Sequence, residues 1–122
     1  MFNFKKTKNI ELSQTTCESF LIILIKIAQI LNKANLTTQN QVVENLVDLV
    51  SQQNDEQFIK LLNSSDMWGG SGAVWEVYIE DNDCAREFET EMIKLINLME
   101  GQNVLGKGIK PIRKIFINNM EK

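Results

Sequence analysis

The sequence predicts an all-α fold, a single-domain bundle of five or six helices around a central helix at about residues 11–34. Three observations carry this expectation. Apolar residues recur at spacings of three and four along most of the chain. One proline and six glycines leave long stretches free to be helical. Only residues 73–79 have strand character, and a lone strand has nothing to pair with. The chain of 122 residues suits one domain and is too short for two. Its 43% hydrophobic and 24% charged residues are ordinary globular usage, which argues against disorder.

Residues 1–10 read as a loose N-terminal arm. The central helix starts near Glu11 or Ser13 and ends at Ala34. On a helical projection Cys17, Phe20, Leu21, Leu24, Ile25, Ile27, Ala28, Ile30, Leu31 and Ala34 cover more than half the circumference. Glu18, Ser19, Lys26, Gln29 and Lys33 share the remaining wedge with Ile22. A helix apolar on most sides is one packed by several neighbours. Asn35 is a stop, because asparagine tolerates the left-handed conformation that ends helices.

Thr37 or Thr38 caps the next helix, to about Ser51, with a stripe of Val42, Val43, Leu46, Val47, Leu49 and Val50. Asn54 or Asp55 opens a short helix that buries Phe58, Ile59, Leu61 and Leu62. Asn63-Ser64-Ser65-Asp66 is a loop signal. Residues 73–79 alternate like a strand, but the absence of a partner strand favours a helix with Val74, Val77 and Tyr78 clustered. Asn82 or Asp83 caps a long helix to about Met99, whose stripe is Ala85, Phe88, Met92, Leu95, Ile96 and Met99. Residues 101–108 form a loop or a short extended piece. Pro111 suits the first turn of a last helix that buries Ile112, Ile115, Phe116 and Met120 and exposes Arg113 and Lys114.

The net charge of −3 is unevenly distributed. Both ends are basic and the body is acidic. Glu76, Glu80, Asp81, Asp83, Glu87, Glu89 and Glu91 crowd one stretch that holds a single base, Arg86. Such a surface repels nucleic acid and attracts basic partners, or else is a solvated helix face that keeps the protein soluble. Carboxylates at the start of a helix also suit its dipole. The apolar run from Phe20 to Leu31 is broken by Lys26 and Gln29 and is short for a bilayer crossing. With no signal-peptide pattern near the N-terminus, a cytoplasmic location and reduced thiols are expected. Abundant isoleucine, asparagine and lysine, with AT-rich codons, point to a low-GC bacterial source.

The chain has no histidine, which removes the commonest general base and metal ligand. Two isolated cysteines are no zinc pattern. Asp81-Asn82-Asp83 lacks the glycine and terminal glutamate of a calcium loop. Cys17 falls on the apolar face of the central helix. Cys84 lies among carboxylates that oppose a thiolate, and no base is identifiable beside it. No metal, no cofactor and no catalytic residue is expected, and the protein is not expected to be an enzyme.

Met67-Trp68-Gly69-Gly70-Ser71-Gly72 is the informative segment. The only two tryptophans, Trp68 and Trp75, flank three glycines. The structural reading docks both indoles on the helical body, with their N–H groups on loop carbonyls. A second reading exposes one indole as a recognition anchor. A third cradles a phosphate at Gly69–Gly72, against which stand the missing lysine and the neighbouring Asp66 and Glu76.

Leu61 to Trp75, including Asp66, Met67, Trp68, Gly69, Gly70, Gly72 and Trp75, resembles a motif of small helical immunity proteins encoded at bacterial polymorphic-toxin and contact-dependent inhibition loci. The resemblance implies a cytoplasmic protein that binds one cognate toxin and blocks it. Many toxin domains are nucleases with basic clefts, so Glu80, Asp81, Asp83, Glu87 and Glu91 are the expected partner-binding residues, against a basic protein surface and neither nucleic acid nor membrane. Two alternatives stand beside it: a helical adaptor for another protein partner, and a small-ligand or phosphate binder at Gly69–Gly72.

Overall fold

The computed structural model of the protein describes residues 11–121, so the arm expected at 1–10 lies outside the described residues. The fold is all-α. Its helices are α1 (Gln14–Lys33), α2 (Thr37–Ser51), α3 (Asp55–Leu62), the single turn α4 (Ser65–Trp68), α5 (Asn82–Gly101) and α6 (Lys110–Met120). Of the four residues read as the loop after α3, Ser65 and Asp66 wind into a helical turn, while Asn63 and Ser64 make the connection. Residues 73–79 are neither the expected helix nor a strand. Val74–Glu76 make one 3-10 turn, and Val77 continues in an extended conformation. Ala73, Val74 and Ile79 are buried, while Tyr78, expected inside, stands 80% exposed.

The main neighbours of α1 are α2 and α5. In turn α6 packs on α5, α3 packs on α2, and α4 and the 3-10 turn close the end of α2. One continuous core joins them, with Phe20, Leu24, Ile27 and Leu31 of α1 fully buried beside Leu46, Phe58, Met92 and Leu95. Phe20 and Phe58 meet edge to face at 5.1 Å. The buried arc of α1 is narrower than its apolar arc. Ile25, on that arc, faces solvent at 44% exposure and Cys17 and Leu21 are half-buried, while Ile22, which shares the polar wedge, is 72% exposed as expected. Among the described residues α2 and α5 are its large neighbours, with α3 touching it through Phe58, and none of them covers the side that carries Ile22 and Ile25. By length and composition alone α1, at 20 residues, could cross a bilayer; in this fold it is the core helix.

The starts of α1 and α3 fall at expected residues, whereas those of α2 and α5 depart from the expected caps. Ser13 caps α1, its hydroxyl accepting from Thr16 N–H at 3.1 Å. Asp81, not Asn82 or Asp83, caps α5 by accepting from Cys84 N–H at 3.1 Å. At α2 the cap position is Leu36 and at α3 it is Asn54, and neither makes a side-chain cap bond. Thr37 and Thr38 are already inside the first turn. Asp55, the first residue of α3, instead accepts from Leu12 N–H at 2.9 Å and ties the lead of α1 to α3.

Three helix ends share one device. Asn35, Gln53 and Asn103 each adopt a left-handed φ near 60°. After each, a backbone N–H reaches back to the last turn: Leu36 to Leu31 O, Asn54 to Leu49 O and Val104 to Met99 O, at 2.9 to 3.0 Å. This is the Schellman closure, which satisfies orphan carbonyls. At Asn35 it stops the helix where the sequence places a stop. Asn63 then clamps the loop after α5. Its amide donates to Val104 O at 2.9 Å and accepts from Gly106 N–H at 2.7 Å. A Cβ at Gly106 would come within 2.6 Å of the Asn63 Oδ1, so a larger residue there must displace that side chain and its clamp.

Candidate functional site

The tryptophan–glycine segment is built inward. Met67 is fully buried. Trp68 donates to Leu62 O at 2.7 Å and Trp75 to Gly69 O at 2.8 Å, and both half-buried indoles pack against the core. Gly69 is sterically necessary, because a Cβ would sit 2.6 Å from Ser65 O. Gly72 has a φ of +92° and its carbonyl accepts from Gln39. Gly70 needs neither space nor a positive φ. Asp66 is exposed on α4. The loop is followed by a single 3-10 turn, so it does not feed its amides into the long helix that a phosphate cradle requires.

Among the acids, Glu80, Asp81, Asp83 and Glu87 are exposed around the N-terminal end of α5. Glu91 is not. It is 9% exposed and bonded to Lys94 at 3.1 Å, which corrects its expected place on the contact surface. Eight residues beyond Asp83, its position has turned toward the packed side of α5. Lysines of α1 lie along the same edge: Lys26 approaches Glu87 at 3.9 Å, and Lys33 acts on Asp81. The hydrogen bonds from Cys84 hold the Asp81 carboxyl below its ordinary range.

The thiols are poor nucleophiles. The hydrogen bond to Asp81 and then burial push Cys84 up. Burial and then the charges of Asp55 and Glu18 do the same to Cys17. Both are protonated at neutral pH, the opposite of a reactive cysteine. Among the described residues no three potential metal-binding side chains come together.

A groove of about 680 Å3 runs between the 74–79 segment, the first half of α5 and the second half of α6. Phe116 forms its floor, with Trp75 edge-on at 6.4 Å and Phe88 at 6.2 Å. Tyr78 and Ile115 stand on its sides, 80% and 44% exposed, and Glu76 and Glu89 are its acids. This groove escaped the sequence reading. The sequence pattern places both Tyr78 and Ile115 in the interior, because periodicity gives an apolar face but not how far the neighbouring element covers it. Glu76 and Glu89 were visible only as members of the acidic run.

Compared with family models, with characterised proteins and with solved structures, the chain matches none.

Proposed function

We propose that this chain is an immunity protein, not an enzyme, that binds and neutralises a cognate toxin domain in the cytoplasm through an acidic surface. The observation that carries the proposal is the exposed group Glu80, Asp81, Asp83 and Glu87 at the open end of α5. The likeness of Leu61–Trp75 to the immunity-protein motif supplies the class of partner. Carboxylates around a helix start are held at fixed spacing and complement a basic cleft, raising the association rate more than the final affinity. Protonated thiols and the absence of histidine fit inhibition by occupancy better than catalysis.

The test is co-expression with the toxin domain encoded beside the gene. Rescue of growth and co-purification of the pair support the reading. Growth arrest despite well-folded protein rejects it. The second reading, a helical adaptor for another protein, is favoured by the aromatic groove, and it predicts a stable complex without rescue.

A further inference from the structure

We propose that the groove between the 74–79 segment, α5 and α6 docks a basic amphipathic segment of a partner protein, which places an apolar side chain on Phe116 and lysine or arginine against Glu76 and Glu89. The inference shares with the reading above only a basic protein partner, and it holds whether or not that partner is a toxin.

The groove is built for burial. Its floor is three aromatic rings packed edge to face, while Tyr78 and Ile115 on its sides are left in water. A small ligand on the floor would leave those sides exposed; a peptide covers them. Tyrosine loses little side-chain entropy when fixed, and aromatic residues are enriched where binding energy concentrates. Charge selects the occupant. Glu76 and Glu89 make no ion pair within 4 Å among the described residues, in contrast to Glu87, Glu91 and Glu100. The side that α6 presents ends in the neutral Asn119. An unneutralised acidic rim over an aromatic floor repels anionic membranes and nucleic acid and favours an apolar side chain flanked by cations.

The chain provides its own reporter. Trp75 lines the groove and Trp68 does not, so Trp68→Phe leaves a single indole at the site. The probe is a short tryptophan-free leucine–lysine peptide with its leucines on one helix face, titrated into that full-length variant and followed by Trp75 fluorescence. The Trp68→Phe protein is first checked for a cooperative thermal transition, and wild type is titrated in parallel by calorimetry, so a folding defect cannot imitate loss of binding. Saturable binding is expected. Tyr78→Ala, Ile115→Ser and the pair Glu76→Lys with Glu89→Lys should each weaken it at least about tenfold. All four positions are on the groove surface, and Asp83→Lys with Glu87→Lys, outside the groove, should change it far less. A leucine–glutamate peptide and a serine–lysine peptide should bind at least about tenfold more weakly than the leucine–lysine peptide.

Absence of binding, or equal binding by all groove variants, overturns the proposal. So does a concentration-dependent dimer that Tyr78→Ala abolishes, which makes a second copy the occupant. Tighter peptide binding after Phe2→Ser and Phe4→Ser also overturns it, by making the chain's own N-terminus the occupant. Failure at the groove leaves the toxin reading standing, because that reading rests on Asp83 and Glu87. Failure of growth rescue with peptide docking intact removes the toxin reading alone.

Discussion

Trp68 and Trp75 each donate to a carbonyl six residues back along the chain. The repeated spacing turns the glycine segment into two linked closures, with an indole at either end of it. Trp68→Ala is expected to destabilise the domain by up to about 3–5 kcal/mol, the range for a packed tryptophan, read as a fall in the urea midpoint. Gly69→Ala should also destabilise, since its Cβ meets the Ser65 backbone, whereas Gly70→Ala should be close to neutral. Asn63→Ala removes the clamp on the loop after α5 and leaves the Gly106 N–H without that acceptor, a loss on the order of 1–3 kcal/mol. At Glu100 the hydrogen bonds from Arg113 and then Lys110 lower the carboxyl's pKa. A lowered folded value gives stability that is present above the ordinary glutamate range, about 4.3, and is lost as pH falls through the folded value. Wild type should therefore exceed Glu100→Gln in melting temperature at neutral pH, and the gap should close in acid. An unchanged gap at low pH rejects the assignment. Arg113, expected in solvent, is half-buried because it makes this bond at 2.7 Å and a second to Asn97.

Among the elements, helix ends were less legible than helix faces. The stripe of α5 is buried at Phe88, Met92, Leu95, Ile96 and Met99, as its spacing predicts. At α5 the cap moved because several polar residues near the start can accept an N–H, and the chain path chooses among them. Asp81 rather than Asn82 or Asp83 has the extended backbone that aims its carboxylate at Cys84 N–H. Left-handed stops at Gln53 and Asn103 have no glycine to announce them. A left-handed conformation costs an ordinary side chain about 1–2 kcal/mol, so Gln53→Gly should raise stability by up to that amount, less the entropy that glycine adds to the unfolded chain. A shift of the thermal midpoint in the opposite direction rejects the strain argument. Ser13→Ala should cost about 1 kcal/mol through loss of the cap bond to Thr16.

At the scale of the molecule, α1 is the helix on which the rest depends. Leu24→Asp places an unpaired charge at a fully buried position and is expected to abolish cooperative unfolding. Ile22→Lys, on the uncovered side of the same helix, should be tolerated. The acidic end of α5 is a whole-molecule feature too, because its field sums with that of the basic ends. If the proposed partner is a toxin domain, Asp83→Lys with Glu87→Lys should slow association with it at low salt, and the difference should shrink as salt screens it. Equal rates for both proteins across an ionic-strength series would leave the patch as a solvated face. Glu91 is omitted from this test because its burial would confuse recognition with folding.

The sequence by itself determined the fold class and the identity of the core helix, and it offered the inward-built tryptophan segment as one of three readings, among which the structure chose. Those features rest on periodicity and side-chain chemistry, which act within a few residues: Phe20, Leu24, Ile27 and Leu31 recur on one face, and an indole N–H needs a nearby acceptor. Tertiary structure decided which apolar and acidic residues remain in water. The acids of 76–91 form one run in the sequence, yet the twist of α5 buries Glu91, sets Glu87 beside Lys26 and leaves Glu89 on the aromatic groove. Tyr78 and Ile115 became groove walls because no element of the described chain covers them fully. A helical pattern states which face is apolar; coverage depends on where distant segments pack, and residues 75, 88 and 116 meet only in the folded chain.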